Sequence, residues 1–518
     1  MSKEVFRVHP PAAFGRSEFT GRDSALLYDQ LCRGRATRKN PLRMRSETKS
    51  NPTRAVVAAV QLPDVSDIEF ELSLNELRGL GKTLGFEIVG TFAQKRVAFD
   101  RTGYLGVGKR QEVRRFVEGE PEPDPSLGST SVRTAPRSGA ARAKEAVRSA
   151  ADPETRRADV IIVDHEISPS QARNLEIDAG CEVMDRTMVI LEIFHRHARS
   201  PAARAQVEIA RLGYMGPRLR EAAKLAGPKG RQRSGTGGRG AGEAHGELDR
   251  QKIRERIKEL QQEITAMDVE RKTQRARRQG GQGLARVALV GYTNAGKSTL
   301  MRALTGSEVL VADKLFATLD TTVRALHPES VPRVLLSDTV GFIENLPHDL
   351  VASFKSTLEE AKEASLLIHV VDASDPGFER QLVVTNKVLH EIDAQGVPRI
   401  QVFNKIDCAG DVEAQAAMET RLRGEYPDCM VLSARRDGDV QKLRATLLAF
   451  FRRDLVDAEI FLAWSEQKLR KNIFETLEVL EERADVAGTF FRIRGDSGIV
   501  DALRTQLGRT TEPSKNGP

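Results

Sequence analysis

Runs of four or five mostly apolar residues, closed off by glycine or polar positions, recur along this chain at 56–60, 87–90, 160–163, 287–290, 333–336 and 400–403. Their shortness and their Val and Ile content predict buried strands. A helix is expected at 298–304, directly after the fourth run. The pattern changes over 248–278, where Ile253, Ile257, Leu260, Ile264 and Met267 alternate steps of four and three. That is the apolar seam of a coiled-coil-type helix. The stretch 207–225 predicts its antiparallel partner, with a kink at Gly213, Gly216 and Pro217. Between the two helices a Gly/Arg-rich loop is expected at 227–246.

A chain of 518 residues is too long for one core. Residues 1–53 are basic, broken by proline and glycine and without periodicity, and are expected to form a disordered arm. An N-terminal α/β domain is expected at 54–190, with a flexible Pro/Ser/Ala/Arg-rich insertion at 118–157. The helical hairpin takes 191–280, a nucleotide-binding domain 284–455, a small C-terminal domain 456–508 and a tail 509–518. The expected class is α/β and multidomain. It comprises a P-loop domain with a mostly parallel sheet flanked by helices, the N-terminal α/β domain, the two-helix hairpin and a small C-terminal α/β domain.

Charge and composition narrow the setting. The chain carries 80 Lys and Arg against 73 Asp and Glu, net +7, which favours a polyanionic partner. No apolar run reaches membrane-spanning length, and the N-terminus lacks the apolar core of a secretory signal. Cys32, Cys181, Cys408 and Cys429 are scattered, which suits a reducing compartment and argues against zinc. A cytoplasmic monomer is therefore expected. His195 and His197 stand two apart on a predicted helix, so they face different directions and are expected to be solvated rather than to bind metal.

The candidate chemistry lies after the strand at 287–290. Gly291, Tyr292, Thr293, Asn294, Ala295, Gly296, Lys297, Ser298 and Thr299 match G-x-x-x-x-G-K-[ST] between a strand and a helix. Backbone N–H groups in such a loop face phosphate, the lysine reaches the β/γ-phosphates and the serine holds Mg²⁺. The run at 400–403 delivers Asn404, Lys405, Ile406 and Asp407 at its C-terminal end, where open α/β sheets bind ligands. The Asp407 carboxylate can accept from the N1–H and N2–H₂ edge of guanine, a donor pair that adenine lacks. Asn404 would support the loop and the Lys405 stem would cover a ring face. Ser433, Ala434 and Arg435 would bring a backbone N–H to the base carbonyl. The nucleotide expected is GTP or GDP.

Between these motifs lie the groups that would sense the γ-phosphate. Asp338, Thr339, Val340 and Gly341 follow a strand, with Asp338 placed for the Mg²⁺ shell and the Gly341 N–H for the phosphate. The loop of Phe316, Ala317, Thr318, Leu319, Asp320, Thr321 and Thr322 supplies hydroxyls, any of which could meet the metal. In Ras-type enzymes the residue after that glycine is the glutamine that orients water. Here it is Phe342, so intrinsic hydrolysis should be slow, and Gly341 and Asn294 are the remaining catalytic candidates. Asn294 could help hold K⁺ where an arginine finger would otherwise place charge.

The loop at 227–246 carries Lys229, Arg231, Arg233 and Arg239 among glycines and has no aromatic residue. Such a loop suits phosphate contact and shape reading, or serves as a plain connection. Beyond these motifs, the chain from about residue 77 to 508, outside the insertion, resembles the HflX family of ribosome-associated GTPases. The resemblance rests on Gly103-Tyr104-Leu105-Gly106-Val107-Gly108-Lys109, on Ser168-Pro169-Ser170-Gln171 with Arg173-Asn174-Leu175-Glu176, and on Asp185-Arg186-Thr187. It continues through Phe316-Ala317-Thr318-Leu319-Asp320, Asp338-Thr339-Val340-Gly341-Phe342 and Leu346-Pro347-His348-Asp349-Leu350. It implies Mg²⁺ held between Ser298 and Thr318, which chooses Thr318 over Thr321 and Thr322. It also implies binding to the large ribosomal subunit, rRNA contact through the hairpin loop, and GTP-dependent splitting of stalled or idle ribosomes. One departure matters. The family's loop reads RGPGETQLE, whereas this chain has Arg239-Gly240-Ala241-Gly242-Glu243-Ala244-His245-Gly246-Glu247. The alternatives are a ribosome-assembly or RNA-remodelling GTPase, or a nucleotide-gated protein scaffold.

Overall fold

The computed structural model describes residues 52–119, 157–226, 241–279, 285–306, 315–316, 318–319, 321–344, 355–453 and 455–510. Outside them lie most of the expected basic arm and insertion, Ala317, Asp320, and the four basic loop residues Lys229, Arg231, Arg233 and Arg239. Within 52–234 and 253–510 the described residues pack as one compact unit, while residues 241–252 belong to another.

The N-terminal sheet consists of β1 (Arg54–Gln61), β2 (Glu87–Lys95), β3 (Val160–Val163) and β4 (Glu182–Asp185). Its order is β2-β1-β3-β4 and every pairing is parallel. Helices α1 (Asp67–Thr83), α2 (Val107–Glu118), α3 (Pro169–Ala179) and α4 (Arg186–His197) cover it. Local sequence sets their ends. Ser66 with Glu69 and Ser168 with Gln171 form capping boxes, and Pro169 sits at the first position of α3. Arg157 N donates to Val117 O at 3.1 Å, so residue 157 lies beside the end of α2. The domain boundary expected at 190 falls inside α4. Val189, Ile190, Ile193 and Phe194 are buried along that helix, which runs on to His197.

Helices α5 (Pro201–Ala226) and α6 (Ala241–Gln279) follow. Helix α5 carries Pro217 in its interior and continues to Ala226. Leu260 on the α6 seam is buried, while Ile253, Ile257, Ile264 and Met267 are half-buried. Arg256 pairs with Glu208 of α5 at 3.1 Å. The expected loop at 227–246 is shorter at its C-terminal side, because 241–246 already belong to α6. Ala241, Ala244 and Glu247 are strong helix formers, and Glu243 sits in the first turn, where the helix dipole favours an acid.

The central sheet holds β5 (Ala285–Gly291), β6 (Thr322–Ala325), β7 (Val334–Asp338), β8 (Leu366–Asp372), β9 (Arg399–Asn404) and β10 (Met430–Val431). Its order is β10-β9-β8-β5-β7-β6, with only the edge pair β6–β7 antiparallel. Helices α7 (Lys297–Thr305), α8 (Lys355–Lys362), α9 (Phe378–Glu391), α10 (Val412–Glu425) and α11 (Asp437–Arg452) alternate with these strands. A third sheet, β11 (Leu455–Ala463), β12 (Glu478–Ala484) and β13 (Gly488–Asp496), is antiparallel in the order β11-β13-β12. It buries Ile460, Leu462, Phe491 and Ile493 with residues of α12 (Lys468–Thr476) and α13 (Ser497–Thr510). The α/β class expected from the apolar runs is the one observed.

One hydrophobic cluster crosses between the first two sheets. Leu74 and Leu77 of α1 and Phe194 of α4 share it with Phe316, Leu319, Val340, Phe342 and Ile343. The loops that flank the candidate site are therefore packed on the N-terminal domain.

Candidate nucleotide site

A cavity of about 420 Å³ opens at the C-terminal ends of the central parallel strands, the usual ligand position in such sheets. Thr293, Asn294, Gly296, Lys297, Ser298 and Thr299 line one wall. Phe316, Thr318, Thr339 and Gly341 line another, and Asn404, Lys405, Asp407, Ser433, Ala434 and Arg435 the far end. The sequence motifs, spread over some 140 residues, thus meet in one place. Other expected residues among those described sit behind this lining. Gly291 ends β5, Ala295 and Ile406 are buried in flanking apolar clusters, and Leu319 and Val340 join the cluster that crosses to the N-terminal domain.

Backbone geometry makes the phosphate end. Gly296 takes φ 94°, and a Cβ there would stand 2.2 Å from Asn404 Nδ2, so only glycine fits. Lys297 Nζ donates to Gly291 O at 3.0 Å and Tyr292 O at 2.6 Å. Burial lowers its pKa to about 8, against the opposing pull of Asp338. Gly341 crosses close by, where a Cβ would be 3.0 Å from that Nζ.

Ser298, Thr318 and Asp338 converge. Ser298 Oγ and Thr318 Oγ1 are 2.7 Å apart, and they donate to Asp338 Oδ2 at 2.7 and 3.1 Å. Burial raises the Asp338 pKa, opposed by Lys297 and by the two hydroxyls. Asp338 Oδ1 is buried with no hydrogen-bond partner among the described residues. Two hydroxyls and a carboxylate with a spare buried oxygen are the hard, oxygen-only donors that suit Mg²⁺. Thr322 lies in β6, and Thr321 does not line the cavity.

The base end is built around Asn404. Its Nδ2 donates to Ala295 O and its Oδ1 accepts from Ala434 N, both at 2.9 Å. One buried amide thus ties the P-loop to both base-side loops. Asp407 is 23 % exposed at its side chain. Burial would raise its pKa, but hydrogen bonds from Ser433 and from its own backbone leave it lowered, so the carboxylate is ionised. Lys405 takes φ 62° and its Nζ pairs with Asp372 Oδ2 at 2.8 Å.

Some expectations change here. The N–H groups of Ser433, Ala434 and Arg435 meet Asp439 Oδ2, Asn404 Oδ1 and Ser433 Oγ, contacts that fix the loop at this end of the cavity. His197, expected to be solvated, meets Phe316 O through Nδ1 at 2.8 Å, because α4 packs against the loop carrying Phe316. His195 is exposed. Asp372, Ser374 and Cys408 were not singled out from the sequence, although the latter two line the cavity and Asp372 anchors Lys405. A polar residue ending an apolar strand opposite Lys405 was the available signal. Phe342 is 1 % exposed, with its ring in the crossing cluster.

Comparison with known proteins finds relatives over most of the chain. A family model described as 50S ribosome-binding GTPase matches residues 286–405. Models described as GTP-binding GTPase Middle Region and GTP-binding GTPase N-terminal match 197–278, and 71–122 with 130–195. A protein named GTPase HflX from Gluconacetobacter diazotrophicus is 50% identical over 467 residues, 89% of this chain and 99% of that one. Its namesake from Caldanaerobacter subterraneus is 37% identical over 458 residues, 88% and 94% of the two chains. The solved structure of a GTP-binding protein from Sulfolobus solfataricus in complex with GDP matches at 22% identity and a TM-score of 0.39, covering 76% of this chain and 99% of that one.

Proposed function

This chain belongs to the HflX family of GTPases, and from that premise we propose that it is a slow, nucleotide-gated switch that binds the large ribosomal subunit and dissociates ribosomes. It hydrolyses GTP to GDP and phosphate. The observation that carries the switch reading is the burial of Phe342. The residue after Gly341 offers no group to orient water, so the rate depends on charge and order brought from elsewhere, here by the ribosome. The partner is supported by the description of the family model over residues 286–405 and by the net positive charge of the chain. Lys229, Arg231, Arg233 and Arg239 are the proposed rRNA contacts, and the protein acts in the cytoplasm as a monomer.

Ser298 and Thr318 would hold Mg²⁺ directly, with Asp338 behind a bound water. The ion supplies positive charge to the β- and γ-phosphate oxygens. Lys297 and the P-loop amides bind the same phosphates, Asp407 selects guanine, and the Gly341 N–H reads the γ-phosphate. Asn294, exposed on the cavity wall at φ 59°, would help bind K⁺. Hydrolysis by the free protein should then be several-fold faster in KCl than in NaCl. The variant Asn294→Gly, which keeps the left-handed backbone, should lose the difference. Equal wild-type rates in the two salts would refute the K⁺ role.

The rRNA contact is tested by pelleting the protein with purified large subunits at several salt concentrations. Replacing Arg231, Arg233 and Arg239 together by alanine should weaken binding. It should also lower the slope of log affinity against log salt by about 2 to 3. Unchanged binding and slope would remove the hairpin loop from the interface.

A further inference from the structure

Tyr292, the second residue of the P-loop, is 7 % exposed and does not line the cavity. Its hydroxyl donates to Glu76 Oε1 of α1 at 2.6 Å and accepts from Glu344 N at 2.9 Å. The other Glu76 oxygen pairs with Arg186, the first residue of α4. Arg186 Nη1 holds Asp164 Oδ1 at 3.2 Å, and Asp164 Oδ2 accepts from Ser73 Oγ at 2.7 Å. A chain of buried and part-buried polar contacts thus runs from Asp164, just past the C-terminal end of β3, to the loop that starts at Gly341. Burial and the Glu76 carboxylate push the Tyr292 pKa far up, so its hydroxyl stays a neutral donor at any working pH.

The position of that loop matters for chemistry. Residues 341–344 are fastened to the P-loop at three points. Phe342 N donates to Gly291 O at 3.1 Å, Thr293 N donates to Phe342 O at 2.8 Å, and Glu344 N donates to the Tyr292 hydroxyl. The first two are backbone contacts. The third depends on a side chain, and that side chain is oriented by Glu76.

We propose that Glu76 is a positioning residue for GTP hydrolysis, acting through the Tyr292 hydroxyl to hold residues 341–344 against the P-loop. This rests on the reading that the Gly341 N–H meets the γ-phosphate. Glu76 does not line the cavity and lies 216 residues before Tyr292, in the N-terminal domain. That domain therefore has a direct hold on the loop that distinguishes GTP from GDP. A partner that grips the N-terminal domain acts on the γ-phosphate contact without entering the cavity.

The test measures hydrolysis by the full chain without ribosomes, together with GDP affinity and thermal melting, for Tyr292→Phe, Glu76→Ala, Glu76→Gln and the Tyr292→Phe/Glu76→Ala double variant. Tyr292→Phe keeps the ring and its packing and removes only the hydroxyl. It and Glu76→Ala should each lower kcat by about tenfold, because small misplacements of a positioned group are costly. GDP affinity should stay within about twofold of wild type. The double variant should be no slower than the worse single variant, since both break one chain of contacts. Glu76→Gln, which keeps an acceptor for Tyr292 but turns an N–H₂ group toward Arg186, should recover part of the rate. Unchanged kcat, equal losses of rate and GDP affinity, or additive losses in the double variant would each overturn the proposal. Gly341→Ala separates the two claims. If it abolishes hydrolysis while Glu76→Ala leaves kcat untouched, Gly341 keeps its role and the Glu76 latch fails. If Gly341→Ala hydrolyses normally, the underlying γ-phosphate reading fails instead.

Discussion

Replacing Asp407 by asparagine is expected to weaken GTP binding by about 10²- to 10⁴-fold and to create binding of xanthosine triphosphate. In the proposed reading the ionised carboxylate would accept from two donors on the guanine edge, and hydrogen bonds to a charged acceptor are the stronger kind. Asparagine keeps one acceptor and replaces the other with an N–H₂ group, which would face the guanine N2–H₂ donor to donor. Xanthine carries a carbonyl at that position, so the same amide pairs with it. The Asp407 side chain is partly exposed, and its loop is held by Asn404 and Ser433 rather than by Asp407 alone. The exchange should therefore leave the fold intact. Titrating both triphosphates against wild type and Asp407→Asn checks this. If GTP affinity is retained in the variant, Asp407 does not read the base.

The sequence was most informative where function depends on backbone and on short-range pattern. The strands at 287–290, 333–336 and 400–403 are apolar runs, and each delivers its motif at its C-terminal end, where the cavity lies. Gly296 is legible for the same reason, since its φ and its closeness to Asn404 admit no side chain. The convergence of Ser298, Thr318 and Asp338 was expected in outline. The hydroxyl-bearing loop left three threonines open, and resemblance to a family, not spacing, singled out Thr318.

What stayed hidden is contact between domains. Tyr292 occupies a position where the P-loop pattern accepts any residue, so nothing local marks it as a bridge to Glu76. His197 had no visible partner because Phe316 lies 119 residues away in sequence. Phe342 was noticed for the glutamine it replaces, but its place in a cluster with Leu74, Leu77 and Phe194 depends on how two sheets pack. Helix ends misled in smaller ways. The domain boundary at 190 cut through the continuous apolar face of α4, and the composition of 241–246 looked loop-like although Ala241, Glu243 and Ala244 start α6. Arg231, Arg233 and Arg239 fall outside the described residues, so their role stands on sequence and chemistry alone.

The second large effect concerns the ribosome itself. If the triphosphate orders the loops at Thr318 and Gly341, both the grip on the ribosome and its consequence should follow the γ-phosphate and not hydrolysis. GTP and a non-hydrolysable analogue should then act alike, while GDP should leave ribosomes joined. A switch shifted from mostly inactive to mostly active needs roughly 10⁴-fold preference between states, so the response should be close to all-or-none at saturating nucleotide. Binding confined to immature subunits would instead favour the assembly reading, and absence of co-sedimentation would favour a protein scaffold.

Asp407→Asn makes the decisive form of that experiment possible, because it allows the nucleotide in this pocket to be chosen separately from any other GTPase in the mixture. Purified joined ribosomes are incubated with wild type or Asp407→Asn and resolved on a sucrose gradient. The account predicts that wild type removes the joined peak with GTP and its non-hydrolysable analogue, and that the variant does so with xanthosine triphosphate but not with GTP. A joined peak that persists with wild-type protein and saturating GTP, or that is lost equally with GDP, would contradict it.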